Sequence, residues 1–260
     1  MGKVYLVGAG PGAADLLTLR AARVLGLADV VFHDALVHPE VLALASRARI
    51  VPIGKRCSQI STDQRFINRC LVEAAARYET VVRLKGGDPM VFGRAQEELD
   101  ALAQHGIECE VVPGVTAALA AAADLRISLT RRGTSRSVVL ATPRVGTDIY
   151  QQAGEWVEAV VAADTAVLYM STGEAARLVH SLKQSGLPGN HPVAVVQSAS
   201  LAGSKALYTT LDDLPRRAAE IPSGGPTLLV LGEVLREALS ADQCREQIPA
   251  GLPATRANRV

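Results

Sequence analysis

The first half of the chain alternates short apolar runs with amphipathic segments. Residues 3–7 form an apolar run that Gly8 ends, and residues 16–27 then show apolar positions at helical spacing after Asp15, which we expect to be the N-cap. Further strands are predicted at 28–32, 50–53, 80–84 and 108–112, with helices at 39–46, 63–78 and 95–105. This alternation is typical of a mainly parallel sheet with helices on both faces.

The second half repeats the alternation after an interruption. An alanine-rich helix, predicted over 115–123, is followed by an arginine-rich loop that ends near Arg136. Beyond this junction, strands are predicted at 137–141, 166–170, 193–196 and 227–231, and helices at 174–184 and 211–219. We therefore expect an N-terminal α/β domain over 1–130 and a C-terminal α/β domain over 131–240. Apolar periodicity fades from Asp242, which predicts a flexible tail over 241–260.

Composition narrows the range of partners. A net charge of +1 gives no overall field of the kind that holds a protein on nucleic acid or an anionic membrane, and only 3% of residues are aromatic, so base-stacking partners are scarce. Apolar runs fall short of the roughly 20 residues that span a bilayer.

The four cysteines form no C-x-x-C pair, so neither zinc nor a disulfide framework is indicated. With no signal-peptide pattern at the N-terminus, we expect a cytoplasmic protein with no metal site.

Two glycine-rich segments are candidates for ligand binding. The first, around Gly8 and Gly10, satisfies a dinucleotide-binding pattern, with Asp34 further along the chain. Pro11 argues against a pyrophosphate there because it lacks a backbone donor, and a tight turn without a ligand is an equal alternative. The second spans residues 83–94, where two glycines let the backbone approach a ligand and Asp88 can accept hydrogen bonds. A simple β-turn explains only residues 87–89 of it.

The order of several motifs resembles that of the uroporphyrinogen-III C-methyltransferases, a branch of the tetrapyrrole methylases. They lie at residues 7–12, 54–56, 84–94, 112–118, 169–170 and 225–233, and the resemblance covers residues 1–240. It implies two α/β domains with the active site in the cleft between them, a homodimer, and a tightly bent S-adenosyl-L-methionine as cofactor. It also removes the nicotinamide interpretation of the first glycine segment.

The resemblance further implies which residues hold the cofactor, whose product is S-adenosyl-L-homocysteine. These are Pro11, Gly86, Gly87, Asp88, Val91, Thr116, Ala117, Met170, Ala199, Pro226 and Thr227.

Methylation of a tetrapyrrole carbon needs two reactants held at attack distance and a base that accepts a proton from the pyrrolic system. By resemblance, Asp34 is the proton acceptor and Lys55 the proton donor, while Arg94 and Glu97 hold or act on the substrate. A substrate rich in carboxylates calls for arginine, which binds carboxylates bidentately. We expect Arg56, Arg131, Arg132 and Arg136 to bind it, although an arginine run of this kind is also typical of a solvated linker.

Several substrate-side positions depart from the family's pattern. The family's I-P-L-T-H-R is here residues 127–132, with Arg131 in place of histidine. Its G-R-G-G-E-E lacks two glycines at 95–96, and residues 141, 143–144, 171 and 197–200 also differ. The leading hypothesis is methylation of uroporphyrinogen III to precorrin-2 through precorrin-1, toward siroheme, cobalamin or heme d1. The alternatives are a later precorrin or another anionic tetrapyrrole as substrate, or a non-catalytic module that binds S-adenosylmethionine or a tetrapyrrole.

Overall fold

The computed structural model of the chain describes residues 1–53, 64–143, 154–171, 175–222 and 224–247. These residues form two compact α/β units, as the alternation of strands and helices predicted. The first unit contains Met1–Arg126 together with Val196–Ala206 and Ile221–Leu228, and the second takes the other described residues from Ile127 onward. The division thus differs from the single boundary expected at residue 130, since two later segments join the first unit.

The first unit is built on a parallel five-stranded sheet. Its strands are β1 (Lys3–Gly8), β2 (Val30–His33), β3 (Arg49–Pro52), β4 (Thr80–Lys85) and β5 (Cys109–Val112). They lie in the order β3-β2-β4-β1-β5, and every neighbouring pair is parallel. Because parallel strands all end at the same edge of a sheet, the loops that follow β1, β2, β4 and β5 emerge side by side.

Helices cover both faces of this sheet. They are α1 (Leu19–Leu27), α2 (Pro39–Leu42), α3 (Gln64–Ala75), α4 (Ala95–Gln104) and α5 (Ala117–Leu125). Neighbouring strand residues point to opposite faces, so Val31 and Val82 pack with α1 and α2, while Val30 and Val81 pack with α3 and Leu102 of α4. The prediction of a parallel sheet covered on both sides is confirmed.

The start of α1 differs from the prediction. Thr18 is its N-cap, with Oγ1 accepting a hydrogen bond from the Ala21 amide at 3.1 Å. Asp15 lies instead in a short 3-10 turn, Ala14–Leu16, so its assignment as N-cap was wrong. Both residue types cap helices, and only the path of the chain after Gly12 decides between them.

The second sheet has the order β6-β7-β10-β8-β9, and β6 and β7 are parallel. Its strands are β6 (Val138–Ala141), β7 (Thr165–Tyr169), β8 (Pro192–Gln197), β9 (Lys205–Thr210) and β10 (Thr227–Gly232). The accompanying helices are α6 (Glu155–Ala162), α7 (Ala175–Gln184), α8 (Leu214–Ala218) and α9 (Arg236–Gln247).

Three of these elements were not predicted. Both α6 and β9 were missed; β9 is an edge strand whose residues are mostly exposed or half-buried, so no apolar alternation marks it. Helix α9 continues to Gln247, into the segment for which we expected a tail. None of the helices in the described ranges is long and apolar enough to cross a membrane.

Candidate active site

Three loops of the first unit meet where β1, β4 and β5 end. Gly10 in the loop after β1 pairs with Gly87 in the loop after β4: the Gly10 amide donates to the Gly87 carbonyl at 3.2 Å, and the Gly87 amide donates to the Gly10 carbonyl at 2.7 Å. Asp88 joins the third loop, because its Oδ2 accepts from the Gly114 amide at 2.9 Å. Its Oδ1 accepts from the Met90 amide at 2.8 Å, which shapes its own loop. The three loops therefore form one connected structure.

Glycine is required where these loops touch. A Cβ on Gly114 would lie 2.4 Å from the Gly87 carbonyl oxygen and 2.9 Å from the Gly8 Cα, and a Cβ on Gly8 would lie 2.6 Å from Gly114. Gly87 differs, since its φ is +68° while its nearest neighbour, Thr116 Cα, would be 3.9 Å from an added Cβ. Gly87 is thus needed for its backbone conformation, whereas Gly8 and Gly114 are needed because a Cβ has no room there.

A fourth segment belongs to the same unit. Ser200 Oγ accepts from the Ala13 amide at 3.1 Å, and the Ser200 amide donates to Asp124 Oδ2 at 2.9 Å. Two residues earlier, the Ser198 amide donates to the Pro226 carbonyl at 2.8 Å. Ser198 and Ser200 both have positive φ, and these hydrogen bonds hold that strained turn in place.

The predicted cofactor residues are divided between the two units. Most lie in the first unit, on these loops or at the first residue of α5 or β10: Pro11, Gly86, Gly87, Asp88, Val91, Thr116, Ala117, Ala199, Pro226 and Thr227. Met170 belongs to the second unit, where it follows β7 with a φ of +55° and is 47% exposed. Asp88 has a structural role as well, since both of its carboxylate oxygens accept backbone hydrogen bonds.

Asp34, the predicted proton acceptor, follows β2 at the same edge of the first sheet. Its amide donates to the Leu84 carbonyl at 3.2 Å, which ties it to the end of β4. Its side chain is 30% exposed, and Oδ1 accepts from Arg83 Nη2 at 2.5 Å. A carboxylate that is partly exposed and held on one oxygen can still accept a proton on the other.

Behind Asp34 lies a buried group of charged side chains that the sequence did not reveal. Arg83 is 2% exposed, Lys85 3% and Glu98 0%. Arg83 Nε donates to Glu98 Oε1 at 3.0 Å, and Lys85 Nζ lies 3.1 and 3.0 Å from the two Glu98 oxygens. Gln64 Nε2 also donates to Glu98 Oε1, at 3.2 Å. Asp34, Arg83, Glu98 and Lys85 thus form a chain of contacts in which two carboxylates offset two cations. We call it the Asp34–Lys85 network.

Burial affects the two bases of this network differently. It lowers the pKa of Lys85 below its ordinary value, and the nearby Arg83 charge lowers it further, against the opposing effect of Glu98. For Arg83, burial also acts to lower the pKa, but Asp34 and Glu98 together raise it. Arg83 is thus a permanent cation between two carboxylates.

Arg94 and Glu97 contact each other on the surface. Arg94 Nε and Nη2 donate to the two Glu97 carboxylate oxygens, each at 2.7 Å, and both side chains are about half exposed. The hydrogen bond from Arg94 lowers the pKa of Glu97. Arg94 precedes α4 with a φ of +54°, a conformation that favours glycine. Their predicted roles toward the substrate remain predictions.

The predicted substrate-binding arginines belong to the second unit or lie outside the described residues. Arg131 pairs with Glu237 at 2.9 Å, Arg132 is exposed, and the Arg136 amide donates to Asp164. Lys55 and Arg56 lie outside the described residues. Within the described ranges, no three His, Cys, Asp or Glu side chains are grouped to hold a metal ion.

Sequence reasoning named Glu97 and missed Glu98, its buried neighbour. The available signal was the pair Arg83 and Lys85, two charges at alternate positions of a strand whose other residues after Thr80 are apolar. Alternate residues of a strand share a face, so both charges needed a partner on that face. Glu98, one helical turn after Arg94, is that partner.

Comparison with known proteins identifies the family. A sequence model of the tetrapyrrole (corrin/porphyrin) methylases matches residues 3–215. The chain belongs to this family. This tetrapyrrole methylase is 43% identical over 239 residues to the uroporphyrinogen-III C-methyltransferase of Pseudomonas aeruginosa, covering 92% of the chain and 96% of the relative. The siroheme synthase of Azotobacter vinelandii is 41% identical over 91% of the chain, which spans only 51% of that longer protein.

Solved structures agree with the two-unit α/β fold of this tetrapyrrole methylase. The uroporphyrin-III C-methyl transferase of Thermus thermophilus, complexed with S-adenyl homocysteine, is 37% identical with a TM-score of 0.78, covering 91% of the chain and 100% of that protein. A cobalt precorrin-4 methyltransferase is 25% identical with the same TM-score of 0.78, over 90% of the chain and 95% of its own. The resemblance drawn from the motifs is thereby confirmed.

Proposed function

We propose that the chain transfers methyl groups from S-adenosyl-L-methionine to ring carbons of uroporphyrinogen III, giving precorrin-2 through precorrin-1. The observation that supports this most is the 43% identity, across nearly the full length of both chains, to a uroporphyrinogen-III C-methyltransferase. Activities of the longer siroheme synthases beyond this step are not part of the proposal.

The first unit suits the cofactor. Three of its loops meet around Gly87 at the edge where β1, β4 and β5 end, and ligands of open α/β sheets bind outside the carboxyl ends of the strands. S-adenosyl-L-methionine, when bound, supplies an electrophilic methyl on a sulfonium. Pro11, Asp88, Thr116 and Ala199 would line the site, and Met170 is a further cofactor residue by the family resemblance.

Asp34 acts as the base in this proposal. Its carboxylate stands at the end of β2 with Oδ1 held by Arg83, so Oδ2 is available to accept the proton that the pyrrolic system loses as the new carbon–carbon bond forms. By the family resemblance Lys55 is the proton donor, and Arg94 with Glu97 binds the substrate. Exposed Leu36, whose Cβ lies 3.5 Å from a Cβ built on Gly86, offers an apolar surface for the macrocycle.

The arginines of the second unit would bind the carboxylates of the substrate. Arg131, Arg132 and Arg136 are all exposed, and Arg131 would exchange Glu237 for a substrate carboxylate.

We further propose a cytoplasmic homodimer. The family resemblance supports the dimer, the free thiols of Cys70 and Cys109 suit a reducing compartment, and sedimentation of the purified chain tests the dimer.

A later precorrin is the second candidate substrate. The cobalt precorrin-4 methyltransferase matches with the same TM-score as the uroporphyrin enzyme, and Arg131 replaces a histidine of the uroporphyrinogen pattern. Turnover of a purified precorrin in preference to uroporphyrinogen III would favour this candidate.

The direct test compares the wild-type chain with Asp34→Asn. Wild-type protein with S-adenosyl-L-methionine and uroporphyrinogen III should form precorrin-2, seen by its absorption and by methyl transfer. Asp34→Asn should lower kcat by about 100-fold or more, because a general base is lost, while binding of S-adenosyl-L-homocysteine persists. Cofactor binding with no methyl transfer by wild-type protein to any tetrapyrrole would instead indicate a non-catalytic module.

A further inference from the structure

The burial of Arg83 is unusual enough to need a reason. Among the described residues, Arg83 is the largest side chain that is fully buried, with 2% of its surface exposed. It lies in β4 between Val82 and Leu84. Replacing a buried ion pair by apolar residues of similar volume is often neutral or stabilising, so such a group contributes little to stability by itself. A role in placing another group is the better explanation.

The guanidinium of Arg83 is held at all three of its nitrogens. Nε donates to Glu98 Oε1 at 3.0 Å, Nη1 to the Leu84 carbonyl at 3.2 Å, and Nη2 to Asp34 Oδ1 at 2.5 Å. Two of these acceptors are themselves fixed: the Leu84 carbonyl is part of β4, and Glu98 is buried. Arg83 therefore has one orientation, and it presents Nη2 to Asp34.

Glu98 in turn is fixed from the other side. Lys85 contacts both of its oxygens and Gln64 contacts one. Lys85 comes close to the backbone of the next loop, because a Cβ on Gly93 would lie 3.1 Å from Lys85 Cε. The Asp34–Lys85 network thus connects the rigid sheet and α4 to a single half-exposed carboxylate.

We propose that Arg83 is a positioning residue for Asp34: it anchors Oδ1 and turns Oδ2 toward the substrate. This inference rests on the proposed function, in which Asp34 accepts a proton. Glu98, Lys85 and Gln64 hold Arg83 and act on the reaction only through it. A base displaced by about 1 Å can lose roughly 100-fold in rate, so the network contributes through geometry.

The test is Arg83→Met, which keeps the volume and removes the donors. With Asp34 unanchored, kcat should fall by about 10- to 100-fold, whereas KM for S-adenosyl-L-methionine should stay within about twofold. Arg83→Lys, which keeps the charge but reaches only one carboxylate, should recover part of kcat and covers the case in which Arg83→Met fails to fold. The matched control is Arg236→Met. It removes an arginine of the second unit that pairs with Glu233 and donates to the Asn190 carbonyl. This variant should have the wild-type kcat.

A double-mutant cycle separates positioning from general damage. If Arg83 acts through Asp34, adding Arg83→Met to Asp34→Asn should lower the residual single-turnover rate no further. The inference is overturned if Arg83→Met lowers the rate of Asp34→Asn by as much as it lowers the wild-type rate. It is also overturned if Arg83→Met has the wild-type kcat while Asp34→Asn is inactive. Either result leaves the proposed function intact. Absence of turnover by wild-type protein is the failure of the proposed function. A crystal structure of Arg83→Met is independent of turnover: a displaced Asp34 carboxylate supports positioning, and an unmoved one contradicts it.

Discussion

At the scale of single residues, adjacent positions of one type have different roles. Glu97 is exposed and pairs with Arg94, whereas Glu98 is fully buried and pairs with Arg83 and Lys85. Glycines divide in the same way: Gly114 is required because of close backbone contact, and Gly87 because of its positive φ. In each case the residue type is the same and the neighbours decide what it does.

The contact at Gly114 gives a prediction. Gly114→Ala places a Cβ 2.4 Å from the Gly87 carbonyl oxygen, so the loops after β4 and β5 must separate. We expect a loss of about 1–3 kcal/mol in the free energy of unfolding and weaker binding of S-adenosyl-L-homocysteine, measured by denaturation and calorimetry.

Gly26→Ala is the control for that substitution. Gly26 lies exposed in α1 with no atom within 4 Å of an added Cβ. Alanine there should leave binding unchanged and raise stability by up to about 1 kcal/mol, because glycine is a poor helix former. Equal binding by Gly114→Ala and wild-type protein would show that the contact between these loops does not shape the cofactor site.

At the scale of elements, the first unit depends on loops held by carboxylates. Asp88 connects two loops at the edge of the first sheet where its strands end. Asp124, the penultimate residue of α5, holds the turn that contains Ala199, because its Oδ2 accepts from the Ser200 amide and from Ser204 Oγ at 2.6 Å. At the opposite edge, Asp29 Oδ2 accepts from the Glu79 and Thr80 amides.

Asp124 and Asp29 form a matched pair for mutation. Asp124→Ala frees the turn around Ala199, so binding of S-adenosyl-L-homocysteine should weaken and stability should fall by about 1 kcal/mol. Asp29→Ala removes a carboxylate with the same number of hydrogen bonds, and it should lower stability by a similar amount while binding is kept. Calorimetric titration of both variants checks this, and equal weakening in the two would contradict a role of the turn in cofactor binding.

At the scale of the whole molecule, two α/β units share one chain, and their stabilities need not respond alike to pH. His191, in the second unit, is mostly buried. Burial lowers its pKa below the ordinary 6.5, Glu233 opposes this, and Arg236 adds to it. A depressed histidine pKa means that the unfolded chain takes up the proton first. The stability contribution is therefore complete above pH 6.5 and is lost as the pH falls through the lower pKa of the folded protein.

His191→Gln tests this linkage. Wild-type protein should lose stability between pH 7.5 and pH 5.5, and His191→Gln should lose less over the same interval, as measured by thermal unfolding. The comparison uses the slope with pH, so any constant cost of the substitution cancels. Parallel slopes for the two proteins would show that His191 does not contribute to acid sensitivity.

The amino-acid sequence by itself determined the order of most elements, the parallel first sheet, the family and the loops expected to hold the cofactor. These follow from local patterns, namely apolar alternation, glycine between strand and helix, and motifs a few residues long. Elements without such a local pattern were missed, as β9 and α6 show.

The tertiary structure alone decided which charges meet. Arg83 and Glu98 are close in sequence but belong to a strand and a helix, and Asp34 comes from a loop nearly fifty residues earlier, so no local pattern links them. The same holds for Asp124 and Ser200, which join distant parts of the first unit. Burial and partner choice arise only when the sheet brings separate strand ends to one edge, and they turn an ordinary strand arginine into the support of a half-exposed carboxylate.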